Sequence, residues 1–162
     1  NVKTFKTDKT ESFDNGQKSG YRKGDIYIKD KMIYKITSSK TVAFGGVTSN
    51  TITSLSIPKT VKIGKKTYQV TAIASRAFVN RKKLKKVTIG ANVSKIGNYA
   101  FYGCTNLKTI TIKSTKLTAS TVGSKAFSKI YTKATIKIPK AKKTAYKKIL
   151  LKKGVTKKMK FK

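Results

Sequence analysis

Few residues in this chain are of a kind that does chemistry. It has no histidine, one cysteine (Cys104) and five acids, Asp8, Glu11, Asp14, Asp25 and Asp30. Every acid lies before Lys31, so beyond that point no pair of carboxylates can serve as general acid and base. With no imidazole and one thiol, neither a nucleophilic triad nor a Cys/His zinc site can be assembled. The run Lys62 to Thr67 superficially resembles a phosphate-binding loop around Gly64-Lys65. Lys59 stands where the upstream glycine is needed, and Lys66 where Ser or Thr must follow, so a turn ahead of a strand at Tyr68 is the better reading. What remains in quantity is cationic: 39 Lys+Arg give 162 residues a net charge of +34. Such an excess predicts attraction to polyanions and self-repulsion relieved by salt. It does not predict a fold. The reading is a non-enzymatic protein with no cofactor.

The elements that carry these charges come from internal repetition. Val70, Ile73, Ala77, Phe78, Leu84, Val87 and Ile89 recur 23 residues later as Val93, Ile96, Ala100, Phe101, Leu107, Ile110 and Ile112. Val122, Ala126, Phe127, Ile136 and Ile138 make a third copy at an offset of 26, with Lys133 at the leucine position. Leu55-Ser56-Ile57-Pro58 is a half copy ahead of them. Within a copy, "VTI", "ITI" and "IKI" place β-branched residues two apart, as in a half-buried strand. The stretch "IGNYAFYGC" is read as one short helical turn that sinks Phe101 into the core. A unit of this kind has an apolar edge on each side and buries it only by stacking on its neighbours. Phe78, Phe101 and Phe127 are then a core spine, and Cys104 fills a small buried slot as an inert thiol.

The ends are read as caps. Alternation over residues 25 to 57 predicts two or three strands of a β-meander, with turns at Lys29 to Lys31 and at Gly45-Gly46. At the far end Pro139 suits a helix start, Ala141, Ala145, Tyr146, Ile149 and Leu150 share a face, and Gly154 supplies a stop. The resulting organisation is a polar linker over 1–20, a β-rich cap with the half repeat over 21–69, repeats over 70–139, and a helical cap with a basic tail over 140–162. The opening "NVKTFK" lacks Met, which points to a processed or cut N-terminus. No apolar run is long enough for a membrane span.

The segments "SLSIPKTVKIG", "VTAIASRAF", "KKVTIGANVSKIGNYAFYGCTNL" and "KATIKIP" resemble the BspA-like, or Treponema-type, leucine-rich repeat of bacterial surface proteins. The resemblance covers roughly residues 52 to 153. It departs at Arg81, where the family prefers a small Cys-like residue, and at Lys133. It implies an α/β leucine-rich-repeat solenoid of about three to four coils with a parallel sheet. It also implies export, and a role in adhesion or binding at the bacterial cell surface.

Two sets of residues are candidates for binding. Strand alternation puts Ser54, Ser56, Lys86, Thr88, Thr109, Thr111, Thr135 and Lys137 on the face opposite the core. Such a face can hydrogen-bond a glycan or a protein backbone. The second set is cationic: Arg81, Lys82, Lys83, Lys85 and Lys86 in one run, and Lys147, Lys148, Lys152 and Lys153 near the C-terminus. These predict contact with an anionic polymer, an acidic glycan or an acidic protein. Nucleic acid competes on charge alone, but the sequence has no helix-turn-helix and no RNP signature. A structural segment of a larger surface protein is the third reading.

Overall fold

The computed structural model describes residues 22–162, so the linker read over 1–20 lies outside the described residues. Strands β1 (Ile26–Lys29), β2 (Met32–Ile36) and β3 (Thr41–Val47) form an antiparallel meander. Its first turn holds Asp30 and Lys31 at φ of 50° and 64°, the left-handed pair that a two-residue hairpin needs. Its second turn lies just before β3, where the Ser38 hydroxyl accepts the backbone N–H groups of Lys40 and Thr41. The turn expected at Gly45-Gly46 is absent. Strand β3 runs through both glycines, and Gly45 is the extra residue of a bulge, because Ile33 faces Gly46 and Tyr34 faces Phe44. A glycine pair suits a bulge as well as a turn.

The chain continues through β4 (Ser54–Ile57), β5 (Thr60–Ile63), β6 (Lys66–Ile73), β7 (Lys86–Ile89), β8 (Lys95–Ile96), β9 (Thr109–Ile112), β10 (Thr135–Lys137) and β11 (Lys160–Phe161). The repeat strands β4, β7, β9 and β10 lie side by side in parallel, and β11 joins β10 at the end. Leu55, Ile57, Val87, Ile89, Ile110, Ile112 and Ile136 are buried along one face of this sheet, as two-residue spacing demands. A second parallel column joins β3 to β6, β6 to β8, and Ile96 to Val122. Gly97 permits close stacking there: a Cβ on it would stand 2.6 Å from the Ser75 Cα. The run Lys62 to Thr67 is a tight hairpin between β5 and β6, with Gly64 at φ 58°.

The third side of each coil differs from the sequence reading. No helix forms around Ala100-Phe101. Arg76, Tyr99 and Lys125, at equivalent places in successive coils, take φ of 59°, 56° and 51°, and Asn80, Gly103 and Lys129 are also left-handed. Two left-handed residues four apart forbid a helix between them. The backbone bonds to the next coil instead: Phe78 N–H donates to Ala100 C=O at 2.7 Å, Phe101 to Ala126 at 2.8 Å and Phe127 to Lys153 at 2.9 Å. The architecture is therefore a β-solenoid with, among the described residues, a single short α-helix rather than a balanced α/β fold.

Inside, the phenylalanines stack as a column, with centroid separations of 4.9 Å for Phe78–Phe101 and 5.3 Å for Phe101–Phe127. Phe44 extends the column from the meander at 5.5 Å from Phe78, and Tyr34 meets it edge-on. In the third coil the leucine slot is held by Ala134, not Lys133. Ala134 is fully buried and donates to the Tyr131 carbonyl, as Leu107 donates to Cys104, while Lys133 is exposed. A chain that slips by one residue in the turn keeps lysine in water.

Pro139 precedes a 3-10 turn at Lys140–Lys142, and the helix α1 (Lys143–Leu151) follows. Its buried face is narrower than the sequence implies: Tyr146 and Leu150 are buried and Ile149 partly so, but Ala141 and Ala145 are exposed. The Tyr146 hydroxyl accepts the Leu117 N–H at 3.0 Å and donates to the Ser114 carbonyl at 2.9 Å. This ties α1 to the segment that holds the third copy's extra residues.

Candidate functional site

Strand register assembles the outward residues into two rows. Ser54, Lys86, Thr109 and Thr135 are paired across β4, β7, β9 and β10, and so are Ser56, Thr88, Thr111 and Lys137. Ser54, Ser56, Lys86 and Lys137 are exposed, and the four threonines are half-buried between neighbours. Lys160 on β11 pairs with Thr135 and extends the first row, a member hidden from sequence reading because β11 is two residues long. Parallel strands lie about 4.7–4.9 Å apart, so each row is a regular line of hydroxyls and ammonium groups. The face can donate and accept hydrogen bonds and offer positive charge.

The basic run 81–86 does not act as one unit. The Arg81 guanidinium is half-buried and donates to the Val47 carbonyl at 3.0 Å and to the Asn50 side chain, tying the meander to the first coil. Arg81 therefore has a local structural partner in the place of the family's small residue. Lys82, Lys83 and Lys85 are exposed, and Lys86 belongs to the sheet face. Lys147 and Lys148 lie exposed on α1, with the Lys147 ammonium 5.7 Å from the Phe161 ring centroid. Lys152 is exposed, while Lys153 is half-buried and lends its carbonyl to Phe127. Beside α1 a cavity of about 490 Å³ is lined by Lys143, Lys147, Leu151, Lys157, Met159 and Phe161. Only Lys86 joins the two candidate sets.

Cys104 is fully buried and its thiol donates to the Phe78 carbonyl at 3.0 Å. Burial pushes its pKa up to about 11, against a smaller lowering by Arg81. A thiol so placed is a packing group, not a nucleophile. Among the described residues no three His, Cys, Asp or Glu side chains cluster as metal ligands, and no helix is long and apolar enough to cross a membrane.

Sequence reading overlooks a further surface on the turn side. Tyr99 and Tyr102, both half-buried, meet edge-on at 5.5 Å, outside the phenylalanine column. Cations from the adjacent coils lie over them: Arg76 and Lys125 at 5.4 and 5.9 Å from Tyr99, and Lys129 at 5.2 Å from Tyr102. The signal was present in the repeat offsets, which align Arg76, Tyr99 and Lys125.

Comparison with known proteins agrees with this architecture. The chain superposes on a leucine rich cell surface protein from Faecalibacterium prausnitzii A2-165 with a TM-score of 0.58 and 26% identity, over 72% of this chain and 37% of that one. A leucine-rich repeat protein from Bacteroides ovatus aligns with a TM-score of 0.53 and 21% identity, over 69% of this chain and 36% of that one. One from Bacteroides capillosus aligns with a TM-score of 0.57 and 17% identity, over 85% of this chain and 98% of that one. The chain thus spans little more than a third of the first two relatives. No curated protein matches it. The pattern of the BspA type leucine rich repeat region matches residues 71–161 in 6 copies. With more than half of its length accounted for in this way, the chain belongs to the BspA-type leucine-rich repeat family.

Proposed function

We propose that this chain is a non-enzymatic binding or adhesion module of a bacterial surface. Its basic solenoid holds an anionic wall polymer, an acidic glycan or an acidic host protein. The observation that carries the reading is the register of the parallel sheet, which aligns hydroxyls and lysines in two rows on an open face. Rows of hydroxyls recognise polar groups, and the lysines among them favour an anionic partner. The relatives support the surface setting, since one of them is a cell surface protein. Secretion or surface display of this chain belongs to the same proposal.

Charge alone would also attract duplex DNA, so the test must separate hydroxyls from charge. Thr88→Val with Thr111→Val removes two hydroxyls and keeps both β-propensity and net charge. Titrations of wall polymer and duplex DNA at ~0.15 M salt, where screening reaches ~8 Å, compare the two ligands. The double variant should weaken wall polymer and leave DNA unchanged. Removal of Lys82, Lys83, Lys85 and Lys86 should weaken both and flatten both salt slopes. Unchanged affinities in the threonine variant would reduce the sheet face to scaffold. Equal loss for both ligands would favour the nucleic-acid reading.

A further inference from the structure

We infer that the turn-side ridge formed by Arg76, Tyr99, Tyr102, Lys125 and Lys129 is a binding site for an acidic polysaccharide. The inference rests on the binding-module reading and adds a second contact, on the turn side and apart from the sheet face.

The ridge is organised rather than merely charged. A free lysine or arginine loses rotamer freedom when it binds an anion. Here that cost is partly met in advance, because the rings of Tyr99 and Tyr102 hold the three cations at 5.2 to 5.9 Å. The Tyr102 hydroxyl beside Lys129 also raises its pKa above the usual lysine value. All three cations are exposed, and beyond Asp30 the chain has no acid to neutralise them. By contrast, among the described residues Lys82, Lys83 and Lys85 have no ring beside them.

The arrangement selects among polyanions. Arg76 and Lys125 occupy equivalent positions two coils apart, roughly 9–10 Å along the axis by strand spacing. Between them lie the two tyrosines, whose hydroxyls can donate and accept. A fitting polymer carries anionic groups at intervals, with neutral hydroxyl-bearing rings between them. Sugar chains with an acid on some residues have that character. Single-stranded nucleic acid needs open aromatic faces on which bases stack. Tyr99 already has a cation from the coil before it and another from the coil after it.

The test titrates polygalacturonate and single-stranded oligothymidylate against three proteins at ~0.15 M salt. These are the unaltered chain, Arg76→Gln/Lys125→Gln/Lys129→Gln, and the charge-matched control Lys82→Gln/Lys83→Gln/Lys85→Gln. Glutamine removes each charge and keeps a polar end on a somewhat shorter stem, equally in both triple variants. The ridge variant should lose roughly 30-fold or more in affinity for polygalacturonate, and the control at most about threefold. Tyr99→Leu/Tyr102→Leu should lose about tenfold at unchanged charge. Equal losses in the two triple variants would overturn the ridge and leave the binding-module reading standing. Tighter binding of oligothymidylate than polygalacturonate, with the ridge variant losing both, would overturn the polysaccharide assignment in favour of nucleic acid. Failure of the unaltered chain to bind polygalacturonate would overturn the proposal, and the wall-polymer titration of the sheet face would then decide the broader reading.

Discussion

Replacing Phe101 by alanine removes the centre of the phenylalanine column. The ring is fully buried and lies parallel to two others, 4.9 Å from Phe78 and 5.3 Å from Phe127. Truncating a buried phenylalanine costs about 3–5 kcal/mol through lost transfer energy and the cavity left behind. Each ring pair adds about 0.5–1.5 kcal/mol beyond buried area, and Phe101 loses two such pairs. The coils above and below are held by backbone bonds at Phe78 and Phe101 and cannot collapse freely into the space. The loss should therefore fall in the upper part of that range, about 4–5 kcal/mol. Phe127 stacks on one phenylalanine, so Phe127→Ala should cost about 0.5–1.5 kcal/mol less. Urea denaturation at fixed salt measures both, with equal m-values as the check that one transition is compared. If Phe101→Ala does not fold, Phe101→Leu in the same assay retains most of the volume and should still be clearly destabilised. A loss below roughly 1 kcal/mol for the alanine variant would mean that the ring is not enclosed and the column is wrong.

Two further outcomes follow from charge and burial. At a net charge of +34, the thermal midpoint should rise markedly between 0.01 and 0.15 M salt, as the screening length falls from ~30 to ~8 Å; a flat profile would contradict repulsion as a destabilising term. The Cys104 pKa, about 11 when folded, lies above the unfolded value of ~8.5. The folded state therefore keeps its proton longer, and this contribution is complete below pH ~8.5 and lost as pH rises toward 11. Urea titrations should show the unaltered chain losing stability relative to Cys104→Ala across that window, whereas a constant difference would refute the assignment.

The parallel sheet was legible because its signal is local and repeated. Val87/Ile89 and Ile110/Ile112 show a two-residue period, and the 23-residue offset shows that these strands are neighbours. The outward rows followed from the same alternation. The turn side was not legible, because "NYAFYG" carries no local signal that rules out one short helical turn, and only the coil above explains why Tyr99 is left-handed. There tertiary backbone bonds outweigh local preference. A fixed offset puts Lys133 at the leucine slot because it cannot register a one-residue slip, which the burial of Ala134 reveals. Phe44 lies outside the repeat, so nothing in its neighbourhood announces that it continues the column. The Tyr99–Tyr102 ridge is hidden for a different reason: apolar spacing passes over half-buried tyrosines, although the offsets align Tyr99 with Arg76 and Lys125.

The direction of the inter-coil hydrogen bonds has a mechanical consequence. On the sheet face and on the turn side alike, these bonds run from one coil to the next, along the solenoid axis. A pull applied between the two ends loads them in tension rather than shear. The outermost coil should peel first and alone, while the coils behind it stay stacked. Each such event frees one repeat of 23 or 26 residues, an extension of roughly 75–95 Å of chain. A solenoid built this way lengthens in steps of that size under load, which single-molecule extension would show as a regular sawtooth. A load across the axis would meet all three hydrogen-bonded sides of a coil at once.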